Sequence, residues 1–137
     1  MNRFFAATAI ASGVLVASSA GASCVQPQVG GVWSAYSFGV KAGEAYWVKC
    51  NLTIDTAGKI GGTSACKNSA GRITVATGSI LAPGSGGCNY TGSITYKIDG
   101  TVLTIDRATL ARNKEIIEGV GSYNNGFVTF NMVRSKS

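Results

Sequence analysis

The groups in this chain that could do chemistry are four cysteines (Cys24, Cys50, Cys66 and Cys88) and six carboxylates; there is no histidine. Without an imidazole there is no usual general base, no Ser-His or Cys-His dyad, and no ligand for most zinc sites. The cysteines are separated by 25, 15 and 21 intervening residues, so no two form the close pair of a metal site or a Cys-x-x-Cys redox motif. Of the acids, Asp55 and Asp99 stand where turns favour aspartate, and Glu115 and Glu118, three apart, fall on opposite faces of a strand. No paired-carboxylate site results. A constellation assembled only by the fold, such as Ser with Lys, stays open, but the residues lead us to expect no catalytic residue, no metal and no cofactor, hence not an enzyme.

The start of the chain bears on what Cys24 does. Arg3, an apolar run from Phe4 to Val16 and the small triplet Ala20-Gly21-Ala22 have the layout of a secretory signal peptide over 1–22, with cleavage before Ser23. No later segment approaches the roughly 20 apolar residues of a membrane helix. The expected mature chain is one exported domain over 23–137, periplasmic or secreted. The alternative is a lipid anchor through Cys24. Against it, Gly21 stands where a lipoprotein signal carries a large aliphatic residue, and lipidation would leave an odd three cysteines. An even four in an exported chain favours two disulfides. The sequons at Asn51 and Asn89 are expected to stay unused, because the Ala-rich leader is bacterial in character.

The elements that must position these groups read as strands. The mature part is rich in Gly, Thr, Ser, Val, Ile and Tyr, an all-β composition. In "EAYWVKCNLTID", Tyr46, Val48, Cys50, Leu52 and Ile54 share one face while Trp47, Lys49, Asn51 and Thr53 share the other. About eight strands follow on the same pattern, at 31–38, 44–55, 59–66, 71–81, 88–98, 101–106, 115–123 and 127–134, with 107–114 a loop or a single helical turn. A two-residue turn at Asp99-Gly100 sets Tyr96 opposite Leu103 and Ile94 opposite Ile105; one at Asn125-Gly126 sets Gly121 opposite Phe130 and Gly119 opposite Met132. Connections this short permit only neighbouring antiparallel pairs. The fold expected is therefore an all-β, eight-stranded up-and-down meander closed as a small barrel, with a β-sandwich as the alternative.

Gly31-Val32-Trp33 on the first strand, a short antiparallel meander, and Arg134 near the end of the last strand resemble the pattern of the calycin superfamily: lipocalins, avidins and small bacterial metalloprotease inhibitors. In those families a Gly-x-Trp tryptophan closes the barrel floor and a basic residue of the last strand packs over it. The resemblance implies Trp33 at one end of the barrel with Arg134 against its face, a cation–π contact. The other reading of Trp33 is an ordinary core aromatic.

The cysteine pairing depends on register. With "TAG" as a three-residue loop, Cys50 faces Ser64 and Val48 faces Cys66, leaving Cys50 and Cys66 only diagonal neighbours. That favours Cys24–Cys50 and Cys66–Cys88, although the sequence permits all three pairings.

Cleavage removes Arg3 and lowers the net charge from +6 by one. The cluster Arg107, Arg112 and Lys114 reads as a solvated loop, and with no stacked-aromatic pattern beside it nucleic acid is not expected as a partner. Trp47 is out of phase with the apolar face of its own strand. It either marks a contact surface or faces inward beside a bulge. With Lys49 and Lys97 it forms the expected contact surface for a protein or glycan. The function expected is a non-enzymatic module binding another macromolecule, as an inhibitor or in the envelope; the alternatives are a structural subunit of an envelope layer, pilus or matrix, and a carrier of a small apolar ligand. A carrier needs a cavity, and an assembling subunit needs an unpaired edge strand. Tyr46, Leu52, Ile54, Ile94, Tyr96, Leu103, Phe130 and Met132, expected inside, are bulky enough to fill a small barrel.

Overall fold

The computed structural model describes residues 24–82 and 87–136. The expected signal peptide at 1–22 and its expected cleavage site lie outside the described residues. A short 3-10 turn at Gln26–Val29 leads into β1 (Gly31–Lys41), β2 (Glu44–Ile54), β3 (Lys59–Ile60), β4 (Ala65–Asn68), β5 (Ile73–Leu81), β6 (Asn89–Tyr96), β7 (Val102–Leu110), β8 (Ile116–Tyr123) and β9 (Gly126–Arg134). Strands consecutive in sequence pair antiparallel except β3 and β4, which together share the place between β2 and β5, and β9 returns to β1. The result is a closed eight-stranded up-and-down barrel, not a sandwich. Among the described residues no helix is long and apolar enough to cross a membrane.

Local chemistry sets the turns. Ala42 (φ 53°) and Gly43 (φ 82°) both take left-handed backbone, which makes the β1–β2 link the two-residue hairpin turn whose twist matches its strands. "DTAGK" and "NSAGR" build the same turn twice: the side-chain oxygen of Asp55 accepts the N–H groups of Ala57 (2.9 Å) and Lys59 (2.8 Å), and that of Asn68 accepts those of Ala70 (3.1 Å) and Arg72 (2.9 Å).

The face assignments hold, but two hairpin registers differ from expectation by two residues. Ile94 pairs with Leu103, because Asp99 accepts the Thr101 N–H (2.9 Å) within a longer loop that Tyr96 and Thr101 close. Tyr123 pairs with Gly126, so the β8–β9 turn is Asn124-Asn125; Gly119 then faces Phe130 and Gly121 faces Val128. Gly126 is needed elsewhere, since a Cβ there would run into the Val40 carbonyl of β1. A slip of two keeps every side chain on its own face. The segment 107–114 is not a loop or helical turn throughout: β7 runs on to Leu110 past a bulge at Asp106, and the extra residue resets the phase so that Ala108 and Leu110 point inward.

The disulfides are Cys24–Cys88 and Cys50–Cys66, which corrects the expected pairing. An uninterrupted strand after the Asp55 turn would have kept Ile54↔Ile60 in register with Cys50↔Ser64. The chain instead turns out of the ladder at Gly61, whose N–H donates to Thr53 O (2.8 Å) and whose carbonyl accepts the Ser64 N–H (3.0 Å). Two residues are consumed there, so β4 re-enters with Cys66 directly opposite Cys50, Cα–Cα 4.0 Å. The buried Ser64 hydroxyl accepts the Thr53 N–H (2.9 Å) that the interruption would otherwise strand. Cys24 bonds Cys88, so its sulfur is not available for a lipid thioether.

The inner faces meet in one core. Leu52, Ile80, Tyr90, Leu103, Ile105 and Ile117 are fully buried, and the other expected inward residues are buried with them except Tyr46, which is half-buried. The space between Ala35, Cys50, Ile94, Tyr96 and Met132 in this core is about 20 Å³, room for about one water.

Candidate functional site

One end of the barrel is a fixed plug. Trp33 is 0 % exposed and its indole N–H donates to Val29 O (2.8 Å). The Arg134 guanidinium lies 4.3 Å from the Trp33 ring centroid, donates to Gln28 O (2.7 Å) and Lys114 O (3.0 Å), and also bonds Gly30 O. One cation thus holds the ring, the N-terminal turn and the β7–β8 loop together.

The opposite end carries Tyr46, Tyr96 and Tyr123 beneath Lys41. Tyr46 and Tyr123 meet edge to face at 6.2 Å, and the Lys41 ammonium lies 5.3 Å and 5.6 Å from their centroids. Burial pushes the Tyr96 phenol far above its ordinary value, with the neighbouring Tyr123 adding to it, and burial also raises Tyr123. The buried Tyr123 hydroxyl has no hydrogen-bond partner among the described residues. Above about pH 10 the unfolded chain releases phenolic protons that the folded chain keeps, so this contribution to stability is complete below that pH and falls as pH rises. Urea unfolding between about pH 8 and 11 should show that loss, and Tyr96→Phe should flatten it; a profile already flat in the parent protein rules it out.

Chemistry directed outward lies on the wall of β8, β9, β1, β2 and β4. In β1 the residues in phase with Trp33 and Ala35 face the core, so Tyr36 and Phe38 point out, 52 % and 62 % exposed. Trp47 stands directly across from Phe38 and is 41 % exposed, which settles it as an outer residue and not one turned in by a bulge. Cross-strand registers arrange the wall in two rows. The first runs Val120, Thr129, Phe38, Trp47; the second runs Glu118, Asn131, Tyr36, Lys49, Lys67. Between them lies an open groove of about 780 Å³ lined by Tyr36, Phe38, Trp47, Lys49, Glu118 and Asn131, among others. Lys49 Nζ sits 5.3 Å over the Tyr36 ring, and Asn131 donates to the Glu118 carboxylate (3.1 Å).

The structure therefore brings Trp47 and Lys49 together but not Lys97. That residue belongs to the β6–β7 turn, where its N–H donates to Val75 O (2.9 Å), and it does not line the groove. Tyr36 and Phe38 were missed although the signal was present, since both are out of phase with Trp33 on the same strand. Lys67 was hidden by the register shift at Gly61.

Among the described residues the space between the inner side chains of Ala35, Cys50, Ile94, Tyr96 and Met132 admits about one water, and the strands close on themselves. No protein-family model matches this chain, and no curated protein sequence does. Solved structures do match it in shape. A de novo designed fluorescence-activating β barrel shares 16% identity and a TM-score of 0.61, over 82% of this chain and 100% of its own. A redesigned β barrel shares 13% identity and a TM-score of 0.56, over 84% of this chain and 100% of its own. At such identities the likeness is one of fold.

Proposed function

We propose that this protein is an exported, non-enzymatic binding module that holds another macromolecule against the outer wall around Trp47, Tyr36, Phe38 and Lys49. The observation that carries the reading is the cross-strand aromatic pair Phe38–Trp47, presented outward on a barrel whose interior is already full. Contiguous exposed aromatics cost solubility and concentrate at contact surfaces. Two disulfides fit an oxidising compartment, and with the signal-peptide pattern they support a periplasmic or secreted location. The Trp33–Arg134 plug supports placing the barrel beside the calycin-type folds.

The test is capture of partners from periplasm and culture medium with disulfide-intact protein, repeated with Trp47→Ala. A partner held by the parent protein should be lost from the variant while the unfolding midpoint stays within about 0.5 kcal/mol of the parent, as for a surface substitution. Undiminished capture by Trp47→Ala would refute this surface as the binding site.

A further inference from the structure

Beyond identifying a contact surface, and resting on that reading of it, we infer that the wall docks an acidic polysaccharide, with sugar rings against Phe38 and Trp47 and acid groups at Lys49 and Lys67. The two lysines are the informative feature. They are directly opposed on adjacent antiparallel strands, both outward, and neither has an ion-pair partner among the described residues. Like charges held face to face on a sheet are destabilising, and an anionic ligand placed between them reverses that cost.

The rest of the wall narrows the kind of anion. Cation and aromatic rows lie two residues apart along the strands, about 7 Å, while successive strands advance about 4.8 Å. A linear chain lying across the strands meets an aromatic face on one flank and an ammonium on the other. Sugar rings offer apolar C–H faces for the first, and uronate or sulfate groups answer the second. At the far end of the second row stand Glu118 and Asn131, an acceptor and an amide suited to hydroxyl groups. A nucleic acid also offers anionic groups and flat rings, and preferential binding of polyuridylate in the titration below assigns the wall to it instead. An acidic peptide lacks the hydroxyl-bearing rings that would use the aromatic row and the Glu118–Asn131 end together.

The experiment titrates the disulfide-intact protein with alginate, a linear polyuronate, and in parallel with neutral dextran, poly-L-glutamate and polyuridylate. Alginate should bind in preference to the other three and weaken as salt rises from about 50 to 300 mM. Trp47→Ala and Lys67→Glu should each weaken alginate binding about tenfold or more, and Lys59→Glu, outside the wall, should leave it within about twofold. Absence of alginate binding overturns the inference. So does binding shared equally with poly-L-glutamate or polyuridylate and indifferent to Trp47→Ala, which is simple charge attraction. If alginate fails while Trp47→Ala still loses a captured partner, the contact surface stands and the polysaccharide assignment falls; if both fail, both readings fall.

Discussion

Trp33→Ala should cost the barrel about 3–5 kcal/mol, the range for removing a fully buried large aromatic. Its ring is sealed from solvent, its N–H holds the Val29 carbonyl, and its face is covered by Arg134. The alanine leaves a cavity that the plug cannot collapse to fill, because Arg134 is tied to three backbone carbonyls on two segments, the N-terminal turn and the β7–β8 loop. Arg134→Lys keeps the charge but loses the planar fork, so a smaller loss of about 1–3 kcal/mol is expected. Urea unfolding of both variants reads these values, and an unchanged midpoint in Trp33→Ala would show that the plug does not hold the fold.

Removing Cys24–Cys88 should cost more than removing Cys50–Cys66. The first bridges a sequence separation of 64 and the second 16. In the chain-entropy picture these correspond to about 4 and about 3 kcal/mol of restricted unfolded-state freedom. The Cys24–Cys88 bond also holds the N-terminal segment under Trp33, so its loss loosens the plug. Comparison of the Cys24→Ser/Cys88→Ser and Cys50→Ser/Cys66→Ser double variants gives the order. Peptide mapping of unreduced protein should recover Cys24 with Cys88; recovery of Cys24 with Cys50 would overturn the connectivity and the register shift that explains it.

The face of nearly every strand could be read from period-two patterning, because burial on one side of a sheet writes itself into the sequence directly. Tyr46 to Ile54 in β2 and the inward residues of β6 and β9 are of this kind. Pairing partners were less legible, since a slip of two changes every partner without changing any face. Asn125-Gly126 looked like a turn because glycine favours turns, yet Gly126 answers to a backbone approach from β1 that no local pattern contains. The disulfides failed for the same reason: Gly61 and Gly62 interrupt a strand whose local sequence still alternates. The Asp106 bulge hid the second half of β7 by breaking the alternation it later restores. Of the candidate surface, Trp47 and Lys49 were legible from phase alone, whereas Lys67 became their neighbour only once the register was known, and Lys97 was grouped with them by charge without a shared sheet position.

The pairing of the first strand with the last, Trp33 beside Arg134, also governs the order in which this chain can fold. No shorter portion of it encloses the core, and the closing contact spans almost the whole domain. Non-local closure of this kind makes for slow folding, with half-built sheets exposing apolar faces in the meantime. The Cys50–Cys66 bond lies within a local hairpin and can form early, fixing the interrupted β2–β4 wall before the rest arrives. The Cys24–Cys88 bond spans five strand segments and can form correctly only after β1 to β5 are in place. Oxidative maturation therefore has a built-in sequence: the short-range bridge narrows the search, and the long-range bridge secures the closed end.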